Sequence, residues 1–145
     1  MYSVSAIEDQ VIAKLKASKP LADVCPTIET YGGELDALTR DIPSLSIFLP
    51  AVLILYSGSK FSEPANRSFD EEITFSAVLI AKNLRGLADL RTGAYQILAL
   101  VRAVLIDNNL DLNIEPIHPL SIEAIWISEE MAVYGFDFKT SQSLD

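Results

Sequence analysis

Residues Phe69–Asp107 read FDEEITFSAVLIAKNLRGLADLRTGAYQILALVRAVLID, and this stretch decides the fold. Its first third alternates. Phe69, Glu71, Ile73, Phe75, Ala77, Leu79 and Ala81 fall on one side of an extended chain; Asp70, Glu72, Thr74, Ser76, Val78, Ile80 and Lys82 fall on the other. Period two predicts a strand with one dry face. The acids at its start predict a solvated end. From Ala77 to Ala81 both sides turn apolar, which predicts cover on both faces there. Lys82-Asn83-Leu84-Arg85-Gly86 breaks the pattern, and Asp89 is placed to cap a helix with its carboxylate. Leu90, Ala94, Ile97, Leu98, Val101, Val104 and Leu105 then recur at three and four. That is an amphipathic helix, widened by Tyr95, Leu100 and Ile106, with Arg91, Thr92, Gln96 and Arg102 on its wet side. A helix apolar over most of its girth is the expected centre of the core.

The flanks extend the pattern. Ser5-Ala6-Ile7-Glu8 has the form of a capping box, and Ile7, Val11, Ile12 and Leu15 line one face of a first helix. Pro20 predicts its end near Ser18. Leu21–Tyr31 is less regular, Gly32-Gly33 marks a turn, and Glu34–Arg40 is read as a short helix on Leu35 and Leu38. Ala51–Tyr56 follows Pro50 as a continuous apolar run, the mark of a buried strand that starts after the proline. Ser57–Ser68 is polar and reads as a long loop. After a helix stop at Asp107-Asn108-Asn109, Leu112 and Ile114 suggest a short strand. Ile122–Ser128 and Met131–Thr140 suggest a closing hairpin, and Ser141–Asp145 a frayed end. The expectation is one α+β domain over 1–145, with an antiparallel or mixed sheet and helices packed on one face.

Composition narrows the function. The chain has 145 residues, is 50% hydrophobic and 21% charged, and carries a net charge of −9. Its length and hydrophobic content suit one folded domain. Twenty acidic groups against eleven basic ones disfavour a nucleic-acid grip over the whole surface. The lone Cys25 allows no internal disulfide, which fits a reducing compartment. Met1-Tyr2-Ser3-Val4 opens no secretory signal, and Ile42–Tyr56, broken by Pro43 and Pro50, is too short to span a bilayer.

Catalytic patterns are thin. His118 is the single histidine and has no nucleophile motif around it; a loop histidine is the plain reading. Cys25 reads as a buried small residue. Asp107, Asn109 and Asp111 imitate the start of a calcium loop, but Leu112 stands where glycine is required and His118 where a bidentate glutamate is required, so a helix-ending turn is the better reading. Glu71-Glu72 and Glu129-Glu130 are sequence neighbours that a strand would point to opposite faces. Trp126, Phe136 and Phe138 read as core rather than as base-stacking groups, since no Lys or Arg interleaves them. One basic grouping stands out: Lys82, Arg85 and Arg91, with Arg102 further on. Together with the acids Asp70, Glu71 and Glu72 it makes two patches of opposite sign on one chain. Solvation with local pairing to Asp89 is the plain reading of the basic group; contact with an acidic neighbour is the other, and heterologous contacts of that kind are compatible with a ring where the rotation closes.

IFLPAVLILYSGS, FSAVLIAKNLRG, ADLRTGAYQILALVRAVL and YGFDFKT, in that order, resemble a family of small tail-assembly proteins from Mu-like phages and prophages, of the tail-terminator or tail-completion type. Pro50, Ala51, Tyr56, Gly58, Asn83, Leu84, Arg85, Gly86, Arg91, Gly93, Ala94 and Tyr95 carry the likeness. It implies a tail-terminator-like α+β fold and a non-enzymatic structural role without cofactor or metal. It also implies a homo-oligomeric ring, commonly hexameric, capping the tail tube and meeting the head connector. The sheath is a further possible partner, and neither membrane nor specific nucleic acid is expected. The virion tail is the implied location, with assembly in the host bacterial cytoplasm. Asp70, Glu71, Glu72, Lys82, Arg85 and Arg91 are the interface candidates. Ser59, Lys60, Asn66 and Arg67 are the tube-facing candidates. The competing readings are a head–tail neck protein and a small ligand-binding or enzymatic domain with a pocket beside the long helix.

Overall fold

The computed structural model describes residues 1–33, 48–63, 68–82 and 87–144, and of residues 87–92 the backbone alone. The suggested helix Glu34–Arg40, the turn residues 83–86, the Asp89 cap, Asn66 and Arg67 lie outside what is described, as do the side chains of Arg85 and Arg91. The described elements run α1 (Val4–Ala17), α2 (Lys19–Val24), β1 (Thr27–Thr30), β2 (Ala51–Ser62), β3 (Asp70–Lys82), α3 (Leu87–Leu105), β4 (His118–Ile127) and β5 (Met131–Ser143). The strands form one open mixed sheet in the order β1-β2-β3-β5-β4. β1 runs parallel to β2, and every other neighbouring pair is antiparallel.

β3 is the centre of this sheet, as its alternation requires. Ile73, Phe75, Ala77, Leu79 and Ala81 point into the main core, where they meet Ile7, Val11 and Leu15 of α1 and Ala94, Ile97, Leu98 and Val101 of α3. Helices therefore cover one face. Phe75, Phe136 and Phe138 form a chain of ring contacts with centroids 5.9 and 5.4 Å apart, spacings typical of aromatic pairs. On the opposite face Val78 and Ile80 join Ala51, Leu53, Met131 and Val133, with Tyr31, Leu49 and Trp126 packed against them. The doubly apolar end of β3 is thus buried on both sides.

Several expectations change. The first helix starts earlier than the capping box suggested: the Ser3 hydroxyl accepts from the Ala6 N–H at 3.1 Å, so Ser3 caps α1 and Ser5 lies inside it. Pro20 does not merely end α1. Ser18 caps a second helix in which Pro20 occupies the first turn, where its missing N–H costs nothing. The supposed loop Ser57–Ser68 is strand as far as Ser62, paired with β3 from Ser62↔Asp70 to Ser59↔Ile73. A register shift between Tyr56 and Gly58, with Gly58 at φ 139°, absorbs the break in alternation that imitated a loop. Leu112 and Ile114 form no strand; they lie in bends of the connection to β4. The tail does not fray at Ser141, because β5 pairs with β3 through Ser143↔Asp70.

Candidate assembly interface

The acids predicted for an interface sit together at the start of β3. Two of them are already held within the chain. The Glu71 carboxylate accepts from the Ser59 hydroxyl at 2.8 Å and from the Gln142 amide at 3.0 Å. Glu72 pairs with Lys139 at 3.2 Å. Gln142 is buried, donates to the Tyr2 carbonyl at 2.9 Å and accepts from the Tyr2 N–H at 2.8 Å. The Tyr2 hydroxyl in turn accepts from the Asn113 N–H at 3.1 Å. A continuous polar network therefore ties the chain's beginning, the distal part of β2 and the end of β5 together. Sequence alternation gives no hint of it, since the polar run Ser141–Asp145 predicts a frayed end and Gln142 lies within it.

Lys82 is exposed at the other end of β3 from Asp70–Glu72. Twelve residue steps of extended strand separate Asp70 from Lys82, about 40 Å. The fold therefore sets the acidic end apart from the position where the basic stretch begins. Arg102 stands on the exposed side of α3 beside Ala99, Ala103 and Ile106. Ser59 and Lys60 lie on β2 rather than in a loop: Ser59 also bonds the Tyr56 hydroxyl at 2.6 Å, while Lys60 is exposed.

His118 opens β4, exposed, at the rim of a shallow depression of about 250 Å³ with Glu72, Glu115, Lys139 and Thr140. Glu72 and Lys139 satisfy each other there, and among the described residues no hydroxyl or thiol is hydrogen-bonded to the imidazole. Cys25 is buried, and its Sγ lies 3.3 Å from the Thr27 carbonyl and 3.5 Å from that of Pro50. Burial pushes its thiol up to about 11, so the thiolate needed for nucleophilic chemistry is scarce at neutral pH. Among the described residues no cluster of His, Cys, Asp and Glu is built to hold a metal, and no helix is long and apolar enough to cross a membrane. Asp107–Asp111 is a helix-ending turn: Asp107, Leu110 and Asp111 take positive φ, and the Asn108 and Asn109 side chains accept from the N–H groups of Leu110 and Asp111.

These features define a small α+β protein whose polar contacts serve its own sheet. The same architecture occurs in a solved chain described as "Virion of native gene transfer agent (GTA) particle". The two superpose with a TM-score of 0.68 at 15% identity, covering 99% of each chain, which establishes a shared fold. No curated protein matches this chain by sequence. The family described as Bacteriophage Mu, Gp37 matches residues 3–143, and the chain belongs to that family.

Proposed function

We propose that this chain is a non-enzymatic structural protein of a phage tail, a terminator that caps the tail tube as a homo-oligomeric ring, hexameric by the family resemblance, and joins it to the head connector. The observation that carries this reading is membership of the Mu family over residues 3–143, nearly the whole chain. The end-to-end likeness to a chain of a virion particle supports it from an independent direction.

Because Glu71 and Glu72 are engaged within the chain, the two ends of β3 are assigned to the two axial faces of the ring. The Asp70–Glu72 end faces one partner and the Lys82 end the other, with Arg85 and Arg91, which follow Lys82 in the sequence, as further interface candidates. The polar connection after Ser62, with Asn66 and Arg67, is assigned to the tube. Assembly takes place in the host cytoplasm, and the ring then stays in the tail.

Deletion of the gene from an inducible prophage tests this. The expected outcome is full heads without tails and free tubes of irregular length under the electron microscope, both corrected by a plasmid copy. Tailed particles of normal length from the deletion strain would refute the terminator role. In a strain that keeps this gene but lacks the tube protein, immunogold label at the vertex of the tailless heads would favour the neck-protein reading instead.

A further inference from the structure

Among the described residues the sheet has two stretches of edge without a strand partner, one at each border. β4 is an edge strand of ten residues, HPLSIEAIWI, with its outer backbone groups unpaired among the described residues. Its side chains are exposed although they are apolar: Ile122 by 39%, Ile125 by 50% and Ile127 by 45%. On the far side of the sheet, β1 pairs only with Ala51–Ile54 of β2. The outer edge of Leu55–Ser62 is therefore also unpaired among the described residues, and Phe61 on it is 62% exposed. Unpaired edges template pairing with another chain. Here β4 exposes Ile122, Ile125 and Ile127, and the Leu55–Ser62 stretch exposes Leu55, Tyr56 and Phe61 between polar residues, so two different edges of one sheet are available for a heterologous contact.

We infer that the subunits of the ring join edge to edge, with β4 of one copy pairing antiparallel to the Leu55–Ser62 half of β2 in the next, so that the sheet runs on from subunit to subunit. This rests on the ring reading above and names the surface that makes the ring. Three geometric facts carry it. β2, β3, β5 and β4 follow one another through three antiparallel steps, so β2 and β4 run in opposite directions. A neighbouring copy with its helices on the same side then meets β4 with an antiparallel strand, the pairing that favours well-aligned ladder bonds.

The faces also agree. Ile122 pairs with Phe136 and Phe61 with Glu71, which puts both Ile122 and Phe61 on the helix-covered face. Glu123 pairs with Gly135 and Lys60 with Glu72, which puts both on the opposite face. Setting Phe61 against Ile122 therefore sets Lys60 against Glu123 in the same register. The first is an aromatic–aliphatic cross-strand pair and the second a pair of opposite charges. Lys60 makes no ion pair among the described residues, and Glu72 across from it is taken by Lys139.

The register also has the offset that closure demands. Inside one copy Ile122 lies in a row with Phe136, Ala77 and Ile54, whereas Phe61 lies in the row of Glu71. Moving from Ala77 to Glu71 shifts each neighbour by about 20 Å along the strands, over about 19 Å of four-strand width. Strands so staggered tilt by about 45° from the ring axis, within the range of closed barrels. β1 enforces the offset by occupying the rest of the β2 edge.

The test uses the full chain. Phe61→Cys and Ile122→Cys in one protein, oxidised at concentrations where the ring forms, should yield a ladder of disulfide-linked oligomers, while each single variant stays uncrosslinked. Lys60→Glu or Glu123→Lys alone should raise the half-assembly concentration by about fivefold, and the two together should restore it. All these positions are exposed, and an unchanged circular dichroism spectrum checks folding. A dimer from Ile122→Cys alone would mean β4 pairs with itself and would overturn the inference. So would a ring-sized species from the double-cysteine protein without a ladder, or a protein that stays monomeric and unlinked at the highest attainable concentration. The deletion phenotype judges the terminator role separately, so a ring built on another surface would sink the inference and leave that role standing.

Discussion

The two ends of β3 are built on different physics. At its Ala77–Lys82 end the sheet is apolar on both faces, with Val78 and Ile80 buried under Tyr31, Leu49 and Trp126, and Leu79 and Ala81 under the helices. At its Asp70–Thr74 end the same strand is held by polar contacts, Glu71 to Ser59 and Gln142 and Glu72 to Lys139. Packing holds the first end. Hydrogen bonding holds the second while leaving Phe61 and Phe69 exposed on it. Exposed apolar side chains border both ends, Phe61 in the row of Glu71 and Ile122 in the row of Ala77, so the ends differ in what holds them and not in whether they offer a surface.

The largest expected effect sets those ends against each other. Phe136→Ala removes a ring that is 1% exposed and packs on Phe138, and should cost about 3–5 kcal/mol of unfolding free energy. Phe61→Ala removes a ring of the same size from the exposed edge and should change monomer stability by no more than about 0.5 kcal/mol. Urea unfolding of both variants checks the contrast. Equal losses would mean that Phe61 is buried in the free subunit and that the two ends do not differ.

Gln142→Leu probes the polar end. It strands the Tyr2 N–H and carbonyl and one Glu71 oxygen, all partly buried, and should cost about 1–3 kcal/mol. Thermal unfolding checks it. A loss under a few tenths would mean that the network contributes nothing and that the end is held by strand pairing alone.

Much of this division was legible in the residues. The alternation of Ile73, Phe75, Ala77, Leu79 and Ala81 predicts their common face, and the run of apolar residues on both sides after Ser76 predicts the doubly covered end. Period-two and three-four patterns report burial directly, which is why β3 and α3 were readable. What could not be read depends on partners distant in the chain. Gln142 is buried only because Tyr2 and Glu71 reach it, 140 and 71 positions away. β1, TIET, is four residues long and finds its place through pairing with β2 rather than through any periodicity. Ser57–Ser62 looked like loop because a bulge at Gly58 resets the alternation in mid-strand. The candidate interface was legible only as charge. The exposure of Ile122, Ile125 and Ile127 needed the strand order, since an alternating apolar strand looks the same at a border as in the middle of a sheet.

The smallest expected effect lies where a charge touches the packed end. Glu8 on α1 accepts a hydrogen bond from the Thr30 hydroxyl at 3.4 Å, at the β1 border of the core. Desolvation raises its carboxyl above the ordinary carboxylate range, with the Asp9 charge adding to the rise and the Thr30 bond opposing it. A carboxyl whose proton is held more tightly folded than unfolded binds more protons in the native state. Its ionisation therefore subtracts from stability as pH rises through the raised value, and the loss is absent below the unfolded value of about 4.3. Glu8→Gln removes the ionisation and keeps the shape. It should raise the unfolding free energy slightly at pH 7, by less than about 0.5 kcal/mol for so open a site, with the gain fading as pH falls toward 4, read by urea unfolding across that range. A variant less stable than the parent at pH 7 would mean that the Thr30 bond outweighs the desolvation. The packed end would then rest on polar support as the other end does, and the contrast between them would weaken.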